Sequence, residues 1–111
     1  MSAPCFAALS GFLGVVLGAF GAHALKHTLV AHDMMTVWQT AVLYHLIHAV
    51  AAFAIAEKRP AVTWMWCLGI LLFSGSLYLL ALTCQRWFGL VTPFGGLCFL
   101  IGWAMCLRNL K

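Results

Sequence analysis

The chain has 111 residues, 65% of them hydrophobic and only 7% charged, with a formal net charge of +4 from six Lys and Arg against two Asp and Glu. A soluble domain is about 25% charged. So few charges cannot clothe a folded surface in water, which excludes an ordinary soluble domain, and six scattered cations make no phosphate-tracking stripe, so no nucleic-acid partner is expected.

An α-helix that crosses a bilayer needs roughly 20 apolar residues. Four such runs occur, at about residues 4–25, 36–56, 61–83 and 87–107, and the charged residues fall between them or after the last. In lipid each backbone N–H must be paired within its own segment, so the runs are expected to be helices. The expected fold is all-α: an integral membrane protein, an antiparallel bundle of four transmembrane helices in a single domain over residues 1–111.

The first run opens with Ser2 as a cap and Pro4 in the first turn. Ala7, Gly11, Gly14, Gly18, Gly21 and Ala22 share one helical face, with Phe12, Leu13, Val16 and Phe20 opposite. Helices in lipid associate by close packing of small residues, so the glycine face is the expected seam. Ala22-His23-Ala24 has the form of a signal cleavage site. No basic residue precedes the run, and the run is too long for a signal core, so it is expected to be retained. Residues 26–35, KHTLVAHDMM, read as the one sizeable loop, solvated at the membrane surface, with Asp33 capping the second helix.

The second run carries two histidines at mid-span, His45 and His48. They are three apart and so expected on one face, beside Ala41, Ala49 and Ala52, with Gln39, Thr40 and Tyr44 adding polarity. Glu57-Lys58-Arg59-Pro60 predicts a tight hairpin into the third run. There Gly69, Ser76 and Thr83 share one face and Ser74 and Tyr78 the other, so the helix should meet neighbours on both sides. Cys84, Gln85 and Arg86 make the next hairpin. In the fourth run Gly89, Thr92, Gly96 and Trp103 line one face, and Pro93 is expected to bend the helix.

Ionisable groups at membrane depth pose a functional question by default. The imidazoles could hydrogen-bond across helices to Ser74, Ser76 or Tyr78; they could titrate along a proton or solute path; or they could ligate haem or copper, the latter with His27, His32, Met34 and Met35. The five Cys show no zinc spacing and read as small packing residues. No nucleophile with an adjacent base and no paired carboxylates occur, so no catalytic residue, metal or cofactor is expected. Lys58, Arg59, Arg108 and Lys111 outnumber Lys26 and Arg86, which predicts both termini in the cytoplasm.

Several phrases together carry a resemblance: GAFGAHALK at 18–26, WQTAVLYHLIHA at 38–49, FSGSLYLLALT at 73–83, TPFGG at 92–96 and GW at 102–103. With these the chain resembles the YgdD-like family of small membrane proteins, a family of unknown function, over nearly its whole length. The resemblance implies a four-helix integral protein of the bacterial inner membrane and supplies no activity. It marks His23, Lys26, Tyr44, His48, Ser74, Ser76, Tyr78, Thr92, Pro93, Gly95, Gly102 and Trp103 as motif residues. His45 departs from it, since Gln often follows the Tyr, and Cys84 stands where Gly or another small residue is common.

The expected role is that of a non-enzymatic multi-pass membrane protein in contact with the lipid bilayer and free to form a homo-oligomer or join a membrane-protein partner. The first alternative is a transporter, channel or accessory subunit using Tyr44, His45, His48, Ser74, Ser76 and Tyr78. The second is a haem- or copper-binding membrane protein.

Overall fold

The computed structural model describes residues 1–108; Lys111, counted above for orientation, lies outside them. Four helical spans, Ala3–Ala22, Met35–Ile55, Pro60–Thr83 and Arg86–Leu107, are long and apolar enough to cross a membrane. The Cα envelope measures 48 × 25 × 24 Å, enough to cover a bilayer of about 40–45 Å including its headgroups.

The first span is one uninterrupted helix, α1 (Ala3–Ala22). The Ser2 hydroxyl accepts from the Cys5 N–H, and Pro4 sits in the first turn, where its missing N–H costs nothing. The helix stops three residues short of the expected end. There the His23 N–H doubles back onto Ala19 and Phe20 carbonyls. The segment read as a solvated loop instead folds into a short helix, α2 (Lys26–Ala31), because Leu29 gains complete burial by turning inward. Asp33 does not cap the next helix. It takes a left-handed conformation, φ 57°, that closes α2, a conformation Asp tolerates better than most residues.

The second span is α3 (Met35–Ile55). The third begins as α4 (Pro60–Gly69), widens into a π turn at Ile70–Ser74 and continues as α5 (Gly75–Thr83). Cys84 ends it at φ 59°. That left-handed position explains why a glycine suits it, since a Cβ there costs roughly 1–2 kcal/mol. The fourth span opens with a 3-10 turn at Arg86–Leu90 before α6 (Thr92–Leu107). Pro93 therefore starts α6 rather than bending a longer helix, because the chain already leaves α geometry before it.

Successive spans run antiparallel. α1 lies along α3, α4 packs between α3 and α6, and α2 rests on α3 and α5 at one end. One buried cluster joins Ala7, Ala49, Ala52, Val62, Trp66, Ile70 and Phe99; a second, under α2, joins Leu29, Trp38 and Ala81. Phe12, Val50, Leu71, Phe94 and Leu100 point outward, as a lipid-facing belt requires.

Candidate functional site

His45 and His48 are both buried, and each has both ring nitrogens bonded. A carbonyl oxygen can only accept, and a neutral imidazole has one donor and one acceptor. His45 therefore donates from Nε2 to the Ser10 carbonyl at 2.8 Å and accepts at Nδ1 from the Tyr78 hydroxyl at 2.8 Å. His48 carries the opposite tautomer. Its Nδ1–H donates to the Tyr44 carbonyl one turn back at 2.8 Å, and its Nε2 accepts from the Trp103 indole N–H at 3.0 Å. The His48 ring also stacks on Phe99 with centroids 3.7 Å apart and meets Trp66 and Trp103 edge-on.

The two imidazoles thus leave α3 in different directions. Residues three apart sit about 60° apart around a helix. Here that angle sends His45 to α1 and α5 and His48 to α6. Both still lie on the buried side of α3 with Ala41, Ala49 and Ala52. The expectation of third-span hydroxyls as partners of His48 fails; only His45 receives one, from Tyr78. Ser74 instead donates to the Ala41 carbonyl at 2.7 Å, and Ser76 donates to its own helix at Phe73 and meets the Thr92 hydroxyl. Tyr44 joins through its carbonyl, while its half-exposed ring lies against Phe73 and Phe99. The third span does use both sides: Gly69 and Ser76 face α6, and Ser74 and Tyr78 face α3. Thr83 is exposed at its end.

Further cross-helix donors complete the pattern. Trp38 donates to Leu17 at 2.9 Å, Thr63 to Ala52 at 2.7 Å, Trp66 to Phe99 at 3.2 Å and His32 to Ala81 at 2.9 Å, in every case to a carbonyl. A helical carbonyl that already accepts one N–H keeps a second lone pair for such a bond. The signal for the tryptophans is in the sequence, because a buried indole needs an acceptor and room for its ring. Gly21 gives that room to Trp38 and Gly102 gives it to Trp66. His32 is thereby half-buried and tied to α5, not solvated with the exposed His23, Lys26 and His27.

The glycines divide. Gly14 abuts Leu46 and His45, Gly18 abuts Val42, Gly69 abuts Phe99, and Gly95 abuts the backbone of Phe73. A Cβ on Gly11 or Gly89 would meet nothing within 4 Å, and one on Gly96 only the Phe73 ring at 3.8 Å. These three do not form tight seams, and the fourth-span seam runs through Gly95, Phe99 and Gly102. Among the described residues no group of three or more His, Cys, Asp or Glu could hold a metal ion.

Beside His45 a groove of about 430 Å³ separates α1 from the third span, with Ser10, Cys67, Ile70, Gly75 and Tyr78 among its walls.

The family profile described as "Protein of unknown function (DUF423)" matches residues 17–96. The chain belongs to this family. It is 46% identical over 110 residues to the UPF0382 inner membrane protein YgdD of Escherichia coli strain K12, covering 92% of this chain and 83% of that one. It is 45% identical over 103 residues to a UPF0382 membrane protein of Haemophilus influenzae, covering 86% and 82%. With the UPF0382 membrane protein YwdK of Bacillus subtilis it shares 40% over 107 residues, covering 88% and 86%. No solved structure matches the chain. The chain is an all-helical integral membrane protein of this family, surrounded by lipid.

Proposed function

We propose that this chain acts as a non-enzymatic protein of the bacterial inner membrane whose mid-span polar groups lock four helices in one arrangement. The observation that carries the reading is that all four ring nitrogens of His45 and His48 are spent on bonds within the chain. A haem or copper ligand site needs at least one of them free. The two carboxylates, Asp33 and Glu57, are exposed beyond the ends of the spans, far from a second acid or base at membrane depth. The relative named an inner membrane protein supports the location.

The test is proton flux into liposomes holding the purified protein, read with an internal pH dye. Flux is expected to equal that of empty liposomes, while His45→Leu and His48→Leu lower the unfolding temperature. Flux that both substitutions abolish would overturn the reading in favour of a transport path. A Soret band or bound copper in the purified protein would overturn it in favour of a cofactor.

The orientation that the basic residues favour puts both termini and the Lys58–Arg59 hairpin in the cytoplasm. A cytoplasmic reporter fused after Lys111 is then active and a periplasmic one silent. A broad apolar surface leaves space for a second copy or another membrane protein, which crosslinking in native membranes would register as a discrete larger species.

A further inference from the structure

The groove beside His45 lies at mid-membrane depth. Ser10 and His45 fall near the middle of α1 and α3, and Cys67, Ile70 and Leu71 near the middle of the third span. Its rim consists of Phe6, Leu9, Leu13, Trp64, Leu68 and Leu71, all outward-facing, so it opens sideways into the lipid rather than to either aqueous face. Its volume of about 430 Å³ falls in the range of about 300–1,000 Å³ typical of small-molecule sites.

Three further features converge there. The Ser10 hydroxyl is buried without a hydrogen-bond partner, the one such side-chain atom among the described residues. A buried hydroxyl left unpaired is costly. Tyr78 lines the same groove; its hydroxyl gives its proton to His45 and keeps its own lone pairs for a further donor. Both residues line the groove, and the Ser10 carbonyl and the Tyr78 hydroxyl bond opposite nitrogens of the His45 imidazole. The third feature is the π turn. Ile70 and Leu71 belong to it and Gly75 follows it, all three in the groove wall, and single π turns recur at functional sites. Among the described residues no Lys, Arg, Asp or Glu lines the groove, so none there compensates an ionised headgroup.

The geometry points to a binding site for a neutral long-chain lipid bearing one hydroxyl or carbonyl oxygen, entering from the bilayer with its oxygen accepting from the unpaired Ser10 hydroxyl and its chain along the apolar rim. A phospholipid headgroup is too polar for this depth and would leave only its tail in the groove. A neutral single-oxygen head satisfies the Ser10 hydroxyl and brings no charge to bury. This use of the groove leaves the bonds of His45 and His48 intact, so it stands or falls apart from the locking role proposed for them.

The experiment is photolabelling of the full chain in phospholipid vesicles, with a diazirine-bearing long-chain alcohol compared with the same chain lacking the hydroxyl. Labelled positions are read by peptide mass spectrometry. The alcohol is expected to label Leu9, Leu13, Leu68 and Leu71 roughly three- to tenfold more than the alkane, the factor expected of one net hydrogen bond. Ser10→Ala is expected to remove that excess without lowering the unfolding temperature. Gly75→Leu fills the groove from a position where a Cβ meets nothing within 4 Å, and is expected to abolish labelling by both chains. Equal labelling by alcohol and alkane would overturn the proposal, leaving the groove to any lipid tail. So would an excess that survives Ser10→Ala, or one found equally at Val50 and Leu100 on other faces. If Gly75→Leu does not fold, Ser10→Ala alone decides between these outcomes.

Discussion

The seam between α1 and α3 and the seam between the third and fourth spans solve the same packing problem in different ways. In the first, all the close-approach glycines sit on one helix: Gly14, Gly18 and Gly21 of α1 receive Leu46, Val42 and Trp38 of α3. In the second they are exchanged, Gly69 receiving Phe99 from α6 while Gly102 receives Trp66 from α4. The first seam leaves a groove beside it, and its histidine, His45, looks onto that groove. The second closes Phe99, Trp66 and Trp103 around His48. A one-sided glycine stripe makes a track along which a helix can lie. Exchanged glycines make an interlock, in which each ring is held by the other helix and neither helix can slide without moving both.

Substitutions should expose this difference. The largest effect is expected at Gly95, where a Cβ meets the Phe73 backbone and no rotamer change relieves it. Gly95→Ala should cost about 3 kcal/mol, the upper end of ordinary overpacking, as a drop in unfolding temperature in detergent. In the first seam the neighbour of Gly14 is the tip of the Leu46 side chain, which can turn aside. Gly14→Ala should cost about 1 kcal/mol, and the order of the two variants is the sharper test. An equal loss at both would mean that the seams do not differ in rigidity.

Trp103→Phe keeps a ring beside Trp66 but removes the indole N–H that His48 accepts. Cross-helix hydrogen bonds in membranes average about 0.6 kcal/mol, so a small loss of stability of that order is expected in the same thermal assay. Gly11→Ala should be silent within about 0.5 kcal/mol, because its Cβ meets no neighbour. A loss comparable to that of Gly14→Ala would show a partner on α1 from outside the chain.

The same contrast explains what was legible in the sequence. α1 runs as one unbroken helix, so a constant period carries the face from Ala7 through Gly14 to Gly21, and the seam can be read directly. The fourth span changes pitch at its 3-10 turn, and the third at its π turn. Each change resets the angular phase, so a face drawn through Gly89 and Gly96 misses the true line through Gly95 and Gly102. The bonding of the histidines was half legible. Equal depth correctly pairs Tyr78 with α3, but depth cannot say which of two imidazoles about 60° apart receives it. The carbonyl acceptors, from Ser10 to Phe99, were invisible for a simpler reason: every residue has a carbonyl, so no residue type marks one that takes a second bond. α2 was hidden because six residues are too few for a helical period to stand out, and only the burial of Leu29 reveals its purpose.

The account rests on both histidines being bonded inside the chain with opposite tautomers. The most direct test is solid-state NMR of the protein in lipid bilayers with ¹⁵N-labelled histidine, the mid-span signals assigned by His45→Gln and His48→Gln. The account predicts a proton on Nε2 of His45 and on Nδ1 of His48, each ring carrying one. The same tautomer at both positions, or a doubly protonated ring at either, would contradict it.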